Sequence, residues 1–385
     1  RWSLLITTFI RGVYLYSPKK PNRMEILATL VIIFTLLQLV VALVNLFFRQ
    51  KIKYDETPEG RVSVLIPARN EEENIENILA DLQKQSFSDI EILVYDDQSA
   101  DRTAEKVSAF AGRDSRIRLI SSDGLPDGWL GKNYACHSLA QMATGRYFLF
   151  LDADVRVKGD LISENVTRAE RLKAGLVSIF PEQKMTTLGE YLTVPLMKYI
   201  LLTLLPLILV RKSRFASLSA ANGQFMLFNA VSYRALMPHK MMKDKKAEDI
   251  EIAQYFKKNK IKTVCLASSR NISCRMYHSF GEAVNGFAKN VNMFFGNSYL
   301  LSILFWSITT LGFIAVYLAS GTTMLISYLA VTVLTRVAVS VTGDEPVIMN
   351  VLLMPFQQFS LLVIILRSVS LRLKKQYIWK GRRLA

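Results

Sequence analysis

Apolar residues in this chain come in two kinds of run. The first is long and uninterrupted. Residues 26–48, ILATLVIIFTLLQLVVALVNLFF, hold no charge over 23 positions, enough for a helix to cross a bilayer. Three later runs are of the same kind: 299–319, 322–342 (with Arg336) and 347–366 (with Pro355, Gln357 and Gln358). The second kind is short. Between residues 61 and 160, β-prone runs (RVSVLIPA, IEILVY, IRLIS, YFLFLDA) alternate with stretches of helical apolar spacing (EEENIENILADLQKQ, TAEKVSAFAG, NYACHSLAQMA). Strand–helix alternation of this kind predicts a mainly parallel, right-handed wound sheet with helices on its faces.

One stretch fits neither class. Residues 193–210, TVPLMKYILLTLLPLILV, are apolar but contain Lys198 and two prolines, which predicts an amphipathic helix in the membrane interface rather than a span. The chain therefore divides into four parts. Residues 1–50 hold an interfacial segment, apolar but carrying Arg11, and then a membrane helix. Residues 51–290 form an α/β domain, 291–366 the later membrane helices, and 367–385 a basic tail. Because the chain begins at Arg1 rather than Met, its native N-terminus is expected upstream, and no cleavable signal peptide is predicted.

Composition adds two constraints. The net charge of +16 lies largely beside the greasy segments, at Arg211–Arg214 and in a tail with seven basic residues from Arg367 to Arg383 and no acidic one. That placement suits an anionic membrane surface and argues against nucleic acid as a partner. Three cysteines without metal-ligand spacing give no disulfide framework and fit a reducing compartment. Topology is strained: with a cytoplasmic domain and all three late segments spanning, the basic tail would end outside, against the positive-inside tendency. The segment with the glutamines is therefore expected to be re-entrant or interfacial.

The candidate chemistry sits at strand ends. Asp96-Asp97 close one apolar run, and Asp152-Ala153-Asp154 close another. Ligands of open α/β sheets bind at the carboxyl ends of strands, and two carboxylates placed this closely call for a cation. Oxygen ligands suit Mg²⁺ or Mn²⁺, ions that commonly hold phosphates at the same time. Between these clusters, Gly128-Trp129-Leu130-Gly131-Lys132 offers a helix start and a cation for phosphate. Glu248-Asp249 opens an amphipathic helix with Ile252, Tyr255 and Phe256 inward. These two acids suit a helix N-terminus equally well.

Together, VLIPARNEE at 64–72, the DDxSxDxT pattern from Asp96 to Thr103, the DxD of 152–154 and the later ED resemble family 2 glycosyltransferases of the GT-A fold. The resemblance implies a Rossmann-like α/β domain, with transmembrane helices at both ends of the chain. It implies that Ala68, Arg69, Glu71 and Asp97 hold the base and ribose of a nucleotide sugar, with Asp96 a structural neighbour. Gln98 departs from the family's usual glycine. Asp154 would hold the ion, and Asp152 would share it or reach the ribose or sugar. The GWxGKxxA pattern resembles the lipid-glycosylating branch and implies a donor contact for Lys132. Asp249, beside Glu248, would be the catalytic base, and residues 220–224 would line the acceptor side. His278 and Lys289 have either a diphosphate-facing or a neutral surface role. His137 and His239 are assigned none.

The function implied is a membrane-bound, inverting, metal-dependent hexosyltransferase with its domain on the cytoplasmic side of the cell membrane, moving sugar from a nucleotide sugar, most simply a UDP-sugar, to a lipid acceptor. A Q-x-x-R-W motif is missing, which disfavours the rival processive polysaccharide synthase. A polyprenyl-phosphate sugar synthase would share the donor site without needing the base. A silent membrane scaffold would have no use for the acidic residues.

Overall fold

The computed structural model describes residues 22–50, 58–374, 377–379 and 382–384; the interfacial segment expected at the N-terminus lies outside them. The predicted alternation is observed. β1 (Val62–Ala68), β2 (Ile90–Asp96), β3 (Ile117–Ser121) and β4 (Tyr147–Leu151) are separated by helices Ile75–Gln83, Thr103–Ala111 and Gly131–Met142. Further along come β5 (Val155–Val157), β6 (Leu176–Ile179), β7 (Glu182–Gln183), β8 (Phe225–Asn229), β9 (Thr263–Leu266) and β10 (Ile272–Cys274).

Seven strands form one sheet in the order β3-β2-β1-β4-β8-β6-β9, parallel except for β8, which runs against both its neighbours. Because β1, β2 and β4 are parallel, their carboxyl ends share one edge, with Ala68 opposite Asp96. Both sheet faces are covered, so the strands read as continuous apolar runs. Residues such as Val64, Ile66 and Ile92 pack under helices 75–83 and 161–172, while Leu65, Phe148 and Phe228 pack under helices 131–142 and 248–258. A small second sheet, β5-β10-β7, stands beside the β4 end and was not visible in the sequence pattern.

Helices Leu188–Thr193, Pro195–Leu204 and Leu207–Lys212 follow one another here, the last two making up most of the stretch 193–210 in place of the single helix expected. Pro206 lacks the N–H that would continue the second into the third. Their apolar residues are mostly buried between the α/β domain and the long apolar helices. Lys198, the residue that argued for an interface, is itself buried, donating to the carbonyls of Pro181 (3.1 Å) and Gly343 (2.8 Å).

Three described helices are long and apolar enough to cross a membrane: Arg23–Phe47, Tyr299–Thr342 and Met354–Leu373. The second is not straight. Gly321 has φ 74° and ψ −169°, outside the helical region. A Cβ on Gly312 would stand 3.2 Å from the Tyr328 hydroxyl, although sixteen residues of straight helix span about 24 Å. The chain turns back at Gly321, and 299–342 is a two-armed hairpin. Asn45 ties the 23–47 helix to the domain: its amide donates to Leu202 O (3.0 Å) and Leu205 O (2.9 Å), and its oxygen accepts from Leu207 N (2.7 Å).

Candidate active site

The carboxyl edge of β1, β2 and β4 forms one wall of a cleft of about 560 Å³. Ala68, Arg69, Glu71, Asp97, Lys132, Asp152 and Asp154 all line it. Glu248 and Asp249 do not; they stand beside it, behind Lys132 and Gly223.

The first wall is two loops stitched together. Asn70 N donates to Ser99 Oγ (2.9 Å), Glu71 N to Thr103 Oγ1 (2.8 Å) and Glu72 N to Asp101 Oδ2 (3.1 Å). Ser99, Asp101 and Thr103 thus act on the backbone of the β1 loop, and the DDxSxDxT pattern reads as a loop lock around Asp97. Arg69 closes the same corner, donating to the carbonyl of Asp97 and lying 3.9 Å from its carboxylate. Gln98, where the family pattern has glycine, sits at φ 55°, the left-handed region glycine enters without strain.

Lys132 joins the two acidic pairs. It occupies the first turn of the 131–142 helix, and its Nζ lies 2.8 Å from Asp152 and 3.4 Å from Glu248. Burial would lower its pKa, but Asp152 and Glu248 hold it charged, well above the ordinary lysine value. One residue on, Asn133 donates to the carbonyls of Met242 (2.7 Å) and Lys245 (3.0 Å), pinning the loop that delivers Glu248-Asp249. Trp129 stacks on His137 at 5.2 Å, which gives that histidine a packing role. His239 accepts or donates at 2.7 Å with the Tyr233 hydroxyl inside the core.

Asp249 accepts from Gly223 N (3.0 Å) and Ile250 N (2.8 Å), and its side chain keeps part of its surface open. Enclosure by protein, then the neighbouring Glu248 charge, push its pKa up to about 7, although Lys132 and the two N–H groups pull the other way. A carboxylate poised there is matched to taking a proton near neutral pH.

The cleft contains cations that the sequence reading passed over. Arg156, Lys184 and Arg275 line it, together with His278 and Glu282, whereas Lys289 does not. Arg275 is aimed by Glu190, which is fully buried and 2.8 Å away. Burial would raise the pKa of Glu190, but Arg275 and the Thr186 and Thr187 N–H groups hold it low, at about 2.

For a divalent ion, Asp152 and Asp154 supply hard oxygen donors one residue apart on the cleft wall. Among the described residues no group of three or more His, Cys, Asp or Glu converges as a metal cage. That donor set fits Mg²⁺ or Mn²⁺ held jointly by one or two carboxylates and a ligand's phosphates.

The model of the family "Glycosyl transferase family 2" matches residues 63–234. Residues 63–234 form a glycosyltransferase family 2 domain. Among curated relatives of this domain, the 4,4'-diaponeurosporenoate glycosyltransferase of Staphylococcus haemolyticus is 27% identical over 63% of this chain and 65% of its own length. The chain thus spans less than two thirds of that relative. The UDP-Glc:α-D-GlcNAc-diphosphoundecaprenol β-1,3-glucosyltransferase of Escherichia coli is 36% identical over 24% of this chain and 34% of its own. The mannosyltransferase PcManGT of Pyrobaculum calidifontis, solved in complex with GDP-Man and Mn²⁺, covers 89% of this chain and 99% of its own at TM-score 0.53 and 18% identity. That likeness shows the GT-A fold around the family 2 domain.

Proposed function

We propose that this chain is a membrane-anchored, inverting glycosyltransferase that moves a sugar from a nucleoside-diphosphate sugar to a lipid hydroxyl. The observation that carries the reading is the relay from cleft to base. Lys132 bridges Asp152 on the donor wall to Glu248, and Asp249, with a pKa near 7, lies next to it. The loops around Ala68, Arg69, Glu71 and Asp97 would receive the base and ribose, and the start of the 131–142 helix the phosphates.

In the proposed reaction, the acceptor hydroxyl gives its proton to the Asp249 carboxylate while its oxygen bonds to the anomeric carbon. The bond from that carbon to the diphosphate oxygen breaks on the opposite face, and the nucleoside diphosphate departs with the bonding electron pair. One displacement inverts the configuration. Mg²⁺ or Mn²⁺ on Asp154 and Asp152 would neutralise charge gathering on the leaving diphosphate. Lys132 supplies a fixed positive charge on the same wall, and Arg69 holds Asp97 in place.

The acceptor side adjoins the membrane helices. Gln357 of the last helix donates to Tyr191 O (2.8 Å), and Tyr191 lies in the 188–193 helix whose Glu190 aims Arg275 into the cleft. A lipid acceptor entering from the bilayer surface fits that connection, as do the lipid-linked acceptor named for the Escherichia coli relative and the acceptor class in the name of the Staphylococcus haemolyticus relative. UDP is the proposed nucleotide, following the donor named for the former. The test is transfer of labelled sugar from UDP- and GDP-sugars to a membrane lipid extract, with and without EDTA. A UDP-dependent, EDTA-sensitive labelled lipid is expected. Label appearing only on a polyprenyl phosphate, undiminished in Asp249→Asn, would select the phosphate-acceptor reading instead.

A further inference from the structure

A second cavity, of about 400 Å³, lies away from the cleft, where the α/β domain meets the membrane helices. Its walls are the residues after the 23–47 helix, the loop following β9, and the turn that ends the hairpin at 342–344. Among the described residues, three guanidinium groups line it, those of Arg49, Arg168 and Arg270, against one carboxylate, Asp344, at 3.6 Å from Arg270. Arg168 is 9% exposed. One of its terminal nitrogens donates to Asn165, but its Nε has no acceptor among the described residues. The Nε of Arg49 and the hydroxyl of Ser268 are likewise buried and unmatched. Burial depresses the Arg168 pKa, although the Glu164 charge pulls the other way. Buried charges are tolerated when a counter-ion reaches them.

We propose that this cavity binds the phosphate of an anionic membrane lipid. Guanidinium forks match phosphate oxygens in shape and charge. The cavity sits at the domain-side ends of the 23–47 helix and of the second hairpin arm, the level of the headgroups if those helices cross the bilayer. Phe48, 62% exposed at the cavity rim, is placed to meet the apolar part of such a lipid. The inference rests on that membrane placement and is independent of the transfer chemistry. Its consequence is a fixed seating of the domain on the membrane, with a lipid as the wedge between the 23–47 helix and the β9 loop.

Native mass spectrometry of the full chain in a non-ionic detergent tests it, with phosphatidylglycerol, phosphatidylcholine or inorganic phosphate added. One retained phosphatidylglycerol per chain is expected, with retention roughly tenfold weaker in Arg49→Gln and in Arg270→Gln, each having lost a charge-assisted bond to phosphate. Arg270 is mostly exposed, so its variant keeps the fold, and Arg270→Lys should recover part of the retention. Equal retention of phosphatidylglycerol by wild type and both variants would overturn the site. Displacement of the lipid by inorganic phosphate at matched concentration would overturn the lipid assignment in favour of a free-phosphate site.

Discussion

Asp249→Asn separates the role of this carboxylate from its cost to the fold. A carboxyl raised from 3.8 to about 7 is destabilised in its charged form by about 4 kcal/mol as a ceiling. The sign follows from proton counting. Between pH 4 and 7 the folded protein keeps a proton that the unfolded chain has released, so raising the pH through this window lowers wild-type stability. The loss is complete above 7 and absent below 4. Asparagine has no proton to lose, so the variant gains on wild type as the pH rises and stays ahead above 7. Each kcal/mol is worth a few degrees of Tm in a domain this size. The gap should therefore widen by several degrees between pH 5 and 8 in detergent, followed by tryptophan fluorescence. Wild-type kcat/KM should rise over the same window, with its midpoint near 7, while the variant loses at least a hundredfold yet still binds nucleotide. A Tm gap flat from pH 5 to 9, or an activity limb far from 7, would refute the reasoning. Lost nucleotide binding in a folded variant would instead place Asp249 in the donor site.

Four further perturbations probe the rest of the molecule. Lys132→Met removes the cation that lowers the Asp249 pKa; the acid limb of the pH–rate profile should move to higher pH, with kcat/KM down roughly a hundredfold. Asp154→Asn should abolish the Mn²⁺ dependence of nucleotide binding measured by calorimetry, and binding that still strengthens with Mn²⁺ would remove Asp154 from the ion site. Asn45→Ala leaves two carbonyls and one N–H without their partner. It should cost about 2–4 kcal/mol, read as a Tm drop, and an unchanged Tm would show that the tie carries no stability. Finally, a protease site appended after Ala385 in sealed inside-out vesicles should be cut together with the α/β domain; protection of the tail while the domain is cut would place the last helix across the membrane.

Much of the fold was legible because parallel strands buried on both faces leave unmistakable apolar runs, several of them ended by residues that line the cleft. The acidic pairs Asp96-Asp97 and Asp152/Asp154 stand out in that way, whereas Ala68 was marked only by the family resemblance. Less legible was how roles divide within a motif. Ser99, Asp101 and Thr103 look as polar as Asp97, yet their hydrogen bonds go to the backbone of the β1 loop. Arg156, Lys184 and Arg275 escaped notice because their places depend on β10 pairing with β5 and β7, segments about a hundred residues apart. No local pattern announces such a contact. Lys198 misled for a related reason: a lysine among leucines reads as snorkelling to water, whereas here two backbone carbonyls from distant segments satisfy it in the interior.

The charge conflict in the sequence also has a geometric answer. Two hairpin arms, 299–320 and 322–342, would cancel each other's crossing, because the chain returns to the domain: Lys198 bonds Gly343 O, and Asp344 faces Arg270. Everything then turns on the last helix. It is long and apolar enough to span, but both its ends touch elements tied to the α/β domain. Near its start Gln357 reaches Tyr191. Some ten residues later Arg367 donates to Asn285 (2.8 Å), and Ser368 accepts from Asn292 (3.1 Å). A helix crossing the bilayer would carry its second contact about 15 Å deeper than its first, away from the 285–292 segment. A helix lying along the interface would meet both. Such an arrangement would keep Arg367 and Arg372 on the domain side of the membrane, where the positive-inside tendency would favour them were that side cytoplasmic.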